Sequence, residues 1–248
     1  MKVLITGASS GIGRDMARYM SKLGYDLVLV ARNEDALLDL KSVLKTKVEV
    51  IPMDLSNKDN CIKLHEQAKE VDILINNAGF GDFGNFTETN LEKEISMIET
   101  NIEATHILTK LYLRDMVEKN RGHILNVASI AGFMPGPLMA TYYASKNYVV
   151  ALTRAIRKEL KKKKSNVKIS LLCPGPVNTN FNNVANVEFK AKGQSSEHVA
   201  KYAIDKMLNN KFIIIPGISI KLSKFFAKIL PSPIIEEACY HIQESKNR

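Results

Sequence analysis

Tyr142 and Lys146 stand four residues apart in Thr141-Tyr142-Tyr143-Ala144-Ser145-Lys146. On a helix that spacing puts both side chains on one face. A phenol has a pKa of about 10, and an ammonium beside it favours the phenolate, which brings the group toward the range useful for proton transfer at neutral pH. Such a pair can supply the acid that carbonyl reduction needs. By itself, however, the spacing is common and reads as packing on an amphipathic helix.

A second candidate lies near the start of the chain. Thr6-Gly7-Ala8-Ser9-Ser10-Gly11-Ile12-Gly13 follows an apolar run and opens a helical stretch. Its glycines permit a tight turn, close approach to a pyrophosphate and packing of helix on strand, while free N–H groups face the anion. With a strand before it and a helix after it, the loop reads as a dinucleotide site rather than an ordinary βα turn. About 20 residues further on, an acid would bond a ribose 2′-hydroxyl and an arginine would accept a 2′-phosphate. Ala31 and Arg32 stand there. Asn33 reads as an N-cap, and Glu34 and Asp35 then complement the helix dipole. Arg32 is left for the phosphate with Ser9 as a second donor, so the expected cofactor is NADP(H); an exposed arginine beside NAD is the alternative.

The elements that must position these groups follow from periodicity. Short aliphatic runs at Lys2 to Thr6, Asp26 to Ala31, Val48 to Ile51, Asp72 to Ile75, His123 to Val127, Val167 to Leu172 and Phe212 to Ile215 read as strands. Helical stretches begin near Gly11, Asn33, Asn57, Leu91, Thr141 and Ser196. The βαβα order predicts one α/β domain over 1–248, a Rossmann-type, doubly wound parallel sheet of about seven strands with helices on both faces. Ligands in such sheets settle beyond the carboxyl ends of the strands, where the candidate motifs lie.

Composition narrows the classes. The 248 residues carry a net charge of +9, and no apolar run approaches the ~20 residues of a membrane span. The apolar start runs straight into a Gly/Ser-rich loop, unlike a signal peptide, so a cytoplasmic protein is expected. Cys61, Cys173 and Cys239 lack metal-ligand spacing, and the five histidines form no His-x-x-x-His cluster, so no metal is expected. The run Lys161 to Lys164 closes a helix, where cations face the negative end of its dipole, and no interleaved aromatics suggest a nucleic-acid partner.

The glycine spacing T-G-x-x-x-G-x-G, Asp54-Leu55, Asn76-Asn77-Ala78-Gly79, Ser129, Tyr142 with Lys146, and Pro174-Gly175 occur in this order at predicted strand ends. Together they resemble the short-chain dehydrogenase/reductase family. The resemblance implies that Gly7, Ser9, Ser10, Gly11, Ile12 and Gly13 cradle the cofactor, with Asp54 and Leu55 near the adenine. Asn77, Ala78 and Gly79 would line its channel, and Pro174, Gly175, Val177 and Thr179 would pass the nicotinamide. For Asn76 a hydrogen bond joining neighbouring strands is an equal alternative to cofactor contact. Ser129 would hold the substrate oxygen beside Tyr142, Lys146 would grip the ribose and tune Tyr142, and Asn101 would complete a tetrad by holding a water that relays protons to Lys146. From sequence alone Asn101 is a mid-helix polar residue, Thr141 an N-cap and Ser145 a small packing residue. A homodimer through the helices around Asn101 and Tyr142 is implied; a tetramer is put in doubt by the chain after Gly217, which the family's 3-oxoacyl carrier-protein reductases lack.

Large apolar residues near the expected nicotinamide predict a lipophilic pocket: Phe80, Phe83 and Phe86; Phe133, Met134, Leu138 and Met139; Phe181, Val184, Val187 and Phe189. Ketones, hydroxysteroid-like alcohols and 3-oxoacyl thioesters are all admissible, as is an idle NADP(H)-binding sensor. The segment 218–248 reads as an extension of two amphipathic helices. Ile218, Leu222, Phe225, Phe226 and Ile229 recur at helical spacing among Lys221, Lys224 and Lys228, and a second stretch runs from Ile234 to Gln243. The protein's own body or a dimer partner is the expected cover for this stripe; its basic flanks also suit an anionic membrane surface. The tail is expected to pack beside the substrate entrance.

Overall fold

The computed structural model describes residues 1–185 and 193–245. Strands β1 (Lys2–Thr6), β2 (Asp26–Ala31), β3 (Val48–Pro52), β4 (Ile73–Asn76), β5 (His123–Val127) and β6 (Lys168–Leu172) all pair in parallel. The short strand β7 (Val177–Asn178) pairs in parallel with β8 (Gln194–Ser195), and β9 (Ile213–Ile214) completes the main sheet beside β6. The seven-stranded order β3-β2-β1-β4-β5-β6-β9 reverses between β1 and β4, which opens the ligand crevice at the ends of those two strands.

Alternation along the strands divides the core. Val3, Ile5, Leu27 and Leu29 face one layer, whereas Leu4, Val28 and Val30 face the other. The first layer is covered by α1 (Gly11–Lys22), α2 (Glu34–Val43) and α8 (Ser196–Leu208) through Met16, Met20, Leu37, Leu40, Ala203 and Ile204. The second is covered by α3 (Lys58–Gln67), α5 (Thr105–Glu118) and α6 (Ala140–Lys162) through Cys61, Leu64, Leu108, Tyr112 and Leu160. Both faces of the sheet are buried, as an all-parallel sheet requires.

Several boundaries differ from expectation. The helical stretch from Leu91 runs as α4 (Leu91–Ile98), a π-helical turn (Glu99–Ala104) and α5, with Asn101 inside the π turn. Helix α6 begins at Ala140 after Met139, whose side chain makes no cap, so Thr141 lies in the first turn instead of capping it. A 3₁₀ turn (Ile130–Phe133), α7 (Phe181–Val184) and the β7–β8 pair are too short to leave a periodic signal. Past Gly217 come α9 (Ile218–Ile229) and α10 (Ser232–Glu244). Helix α9 packs one side against the 3₁₀ turn and the loop after β6, with Ile220 against the core cluster of Val149, Val150 and Ile215. Its other face is uncovered among the described residues: Leu222, Phe225, Phe226 and Ile229 are exposed.

Candidate active site

Strand ends β1 and β4 are sewn together by side chains. Thr6 Oγ1 accepts from the backbone N–H groups of Asn77 and Ala78, each at 3.0 Å. Asn77 Nδ2 returns bonds to the carbonyls of Thr6 at 3.0 Å and Gly7 at 3.2 Å. A Cβ on Gly13 would stand 2.4 Å from both Gly7 O and Asn77 Nδ2, so helix α1 can approach this seam only through a glycine. Gly7 itself has φ +64°, and a Cβ there would meet the Ala78 backbone at 2.9 Å.

The loop thus formed presents the start of α1, where Ser10 caps no backbone N–H and the first turn holds no acid. Helices α2, α3, α4 and α8 are all capped by side chains, from Asn33, Asn57, Asn90 and Ser195. The N–H groups at the head of α1 face the crevice without a side-chain cap, a setting that suits a pyrophosphate. Ser9 and Ser10 lie on this loop, Ile12 packs against the core, and Thr179 sits on Gly11, 3.0 Å from where a Cβ would be. Arg32 is exposed at the end of β2 and makes no ion pair among the described residues, while Asn33 takes the capping role by accepting from Ala36 N. Asp54 is exposed at the end of β3 with one oxygen held by Ser56 N and Oγ; the neighbouring Leu55 side chain is buried in the core, which leaves only its backbone for a ligand. These residues fit a nicotinamide dinucleotide: a glycine-sealed cradle, an uncapped helix end and an open cation beyond β2.

At the end of β5 the second group assembles. Ser129 is buried, its Oγ accepting from Ala131 N at 3.2 Å and donating to Pro174 O at 3.5 Å, and it opposes the upward push that burial gives the Tyr142 phenol. Lys146 is buried with Nζ 5.8 Å from the Tyr142 ring centroid, donating to Val127 O at 3.3 Å. Burial, rather than the expected pull of Lys146, governs the Tyr142 phenol: it pushes the phenol up to about 12, eased by the Ser129 hydroxyl, and it brings the Lys146 ammonium down to about 8. Tyr143, by contrast, is bonded by Gln243 of α10 and packs under the tail.

Asn101 reaches the same place from the π turn. Its Oδ1 accepts from Phe80 N at 3.0 Å and its Nδ2 donates to Phe80 O at 2.9 Å, imitating a backbone pair, and to Ser145 Oγ at 3.0 Å. Ser145 in turn donates to Tyr142 O, so it is a bracket between Asn101 and α6 rather than a mere packing residue. A Cβ on Gly79 would lie 2.8 Å from Asn101 Oδ1 and 3.2 Å from Lys146 Nζ, which places both groups at the edge of the same gap. Asn76 bridges strands, donating to Asn126 Oδ1 and Thr109 Oγ1.

The apolar candidates divide. Phe181 lies 5.3 Å from the Tyr142 ring and closes on Gly81, forming one wall. Phe133 instead packs into the cluster of Val149 and Ile215 beneath Lys224, Met139 is buried, and Phe86 and Val184 are exposed. Val187 and Phe189 lie outside the described residues, as does the Lys228 side chain. Pro174 O accepts from Ile130 N, Val177 pairs with Gln194, and Gly175 is covered by Ile220. Sequence reading missed the bonding role of Thr6, whose hydroxyl at the end of a buried apolar strand signals a need for partners. It also missed a clasp in which Lys93 bonds Asp82 at 2.6 Å and Val184 O at 3.1 Å, an ion pair that no local pattern marks.

The short chain dehydrogenase family profile matches residues 1–188. The chain belongs to this family. An uncharacterised oxidoreductase of Staphylococcus epidermidis is 36% identical over 180 residues, spanning 71% of this chain and 77% of its own. Among solved structures, a short-chain dehydrogenase from Sphingobium yanoikuyae in complex with NADPH superposes with a TM-score of 0.82 at 26% identity over 92% of each chain. A short chain dehydrogenase/reductase from Burkholderia phymatum in complex with NAD gives 0.82 at 27% identity, over 91% of this chain and 92% of its own. As a family member the chain is an oxidoreductase with a nicotinamide cofactor. Among the described residues no helix is long and apolar enough to cross a membrane.

Proposed function

We propose that the chain interconverts a carbonyl and a secondary alcohol on a lipophilic substrate, with NADP(H) as its cofactor. The observation that carries the reading is the grouping at the end of β5 of the buried Ser129 with Tyr142, whose phenol it eases against burial, and the Lys146 ammonium buried beside the tyrosine ring. The bound cofactor supplies or accepts hydride. Ser129 orients the substrate oxygen, and Tyr142, whose raised pKa of about 12 keeps it protonated at neutral pH, donates its proton to that oxygen. Lys146, brought to about 8, can exchange a proton near neutrality, and Asn101 holds the Phe80 segment that borders this exchange. Phe181 packs against the tyrosine ring and favours an apolar substrate flank.

Arg32, exposed and without an ion pair among the described residues, supports a 2′-phosphate. The relative bound to NADPH agrees with this, and the relative bound to NAD makes cofactor choice the quantity to measure. A homodimer belongs to the same reading, supported by Leu91, Ile95 and Ile98, exposed at consecutive turns of α4. The test is to assay purified protein with NADPH and NADH against aryl ketones, steroid ketones and 3-oxoacyl thioesters. Ketone reduction with higher kcat/KM for NADPH, and loss of that preference in Arg32→Ala, is expected. Equal kcat/KM for the two cofactors overturns the cofactor assignment, and NADPH binding without turnover of any substrate makes the chain a sensor.

A further inference from the structure

The stripe on α9 lies beside a second unexplained feature. An open groove of about 760 Å³ runs between β9 and α9. Arg157, Lys206, Lys211, Lys221 and Lys224 line it, and no carboxylate does so among the described residues. Its floor is apolar, formed by Ile213, Ile214 and Ile215, and the Phe212 ring is covered by the Arg157 guanidinium at 4.1 Å. At 100° per residue, Ile220 turns toward Gly175 and the body, Lys221 and Lys224 fall on the groove flank, and Leu222, Phe225 and Ile229 point outward. Exposure agrees: Ile218 is 77%, Leu222 53%, Phe225 58% and Ile229 59% exposed.

We infer that this groove and the outward face of α9 form a docking surface for an anionic phospholipid bilayer. An uncovered apolar stripe flanked on one side by cations matches a helix lying in a lipid interface, its apolar face among acyl chains and its lysines at headgroup phosphates. Helix α9 contains no acid, so its charge complements an anionic surface and opposes a second α9 brought against it in a symmetric pair. Nucleic acid fits less well. The groove's two aromatic rings, Phe212 and Tyr202, are already covered by Arg157 and Lys206, and the outward face offers hydrocarbon where phosphates would need cations. The docking does not depend on the reaction. If the proposed function holds as well, the bilayer also serves the site, because the opposite side of α9 rests on Gly175 and the 3₁₀ turn beside the candidate active residues.

The experiment is co-sedimentation of the full chain with vesicles of phosphatidylcholine alone or mixed with phosphatidylglycerol. Partition into the anionic vesicles, weak partition into the neutral ones, and a fall with rising salt are expected. Lys211→Gln with Lys221→Gln lowers anionic partition by about twenty-five-fold, at about fivefold per cation. Leu222→Ser with Phe225→Ser lowers it by at least about tenfold through lost apolar contact. All four positions are exposed, so thermal midpoints stay at the parent value and loss of binding is not loss of fold. Equal partition into neutral and anionic vesicles overturns the inference, as does no partition into either. A dimer in sedimentation equilibrium that Phe225→Ser dissolves, with vesicle partition unchanged, assigns the face to a second copy. Tighter binding to an oligonucleotide than to anionic vesicles assigns it to nucleic acid.

Discussion

At the scale of single residues, Tyr142 and Tyr143 are adjacent phenols with opposite surroundings. Tyr142 meets Ser129, Lys146 and Phe181, whereas Tyr143 meets Gln243 of the tail. Tyr142→Phe is expected to abolish turnover with cofactor affinity retained in a fluorescence titration; Tyr143→Phe keeps turnover and loses about 1 kcal/mol of stability with the Gln243 bond. Lys146 gives a pH signature. Its pKa is lowered by burial from 10.5 to about 8, so between those values the unfolded chain binds more protons and stability rises with pH. Below pH 8 the lysine is charged in both states and the burial cost, on the order of 3 kcal/mol, is fully present. Lys146→Met therefore stabilises the chain at neutral pH, and its advantage in chemical denaturation shrinks as pH climbs from 8 toward 10.5. Residue types and spacing made Tyr142 and Lys146 legible as a pair. They left the balance of charges illegible, because desolvation depends on what is packed overhead and sequence distance does not record it.

At the scale of elements, helix starts divide into those a side chain closes, at α2, α3, α4 and α8, and those left without such a cap, of which α1 heads the glycine loop. Asn33 Oδ1 accepts from Ala36 N at the start of α2, and Asn33→Ala is expected to lower stability by about 1 kcal/mol in urea denaturation. Ser10 stands at the equivalent place on α1 with no cap bond, so Ser10→Ala leaves stability within about 0.5 kcal/mol while weakening cofactor binding. The strands and the caps at Asn33 and Asn57 were readable because alternation and capping are local. The π turn was not readable: Asn101 is drawn inward by Phe80 and Ser145, partners 21 and 44 residues away. Nor were β7 and β8 readable, since two residues carry no period.

At the scale of the whole molecule, the tail is both a brace and a surface. Its inner side buries Cys239 and Gln243 and lays Ile220 on Gly175. A chain ending at Gly217 is expected to lose on the order of 3 kcal/mol in urea denaturation, from lost apolar burial and the Gln243 bond, and to show raised KM for bulky ketones. Unchanged kinetics would mean the tail does not border the entrance. The seam between Thr6 and Asn77 acts across the molecule in another way. The two residues are 71 apart, and β1 meets β4 only after two other strands and three helices have been made. A nascent chain therefore carries its glycine loop long before it can shape it, because the carbonyls of Thr6 and Gly7 wait for an amide that emerges a whole βαβαβ unit later. Shaping of the nucleotide cradle therefore waits on β4, and the cofactor, by binding only the docked arrangement, holds closed one of the sheet's longest-range junctions.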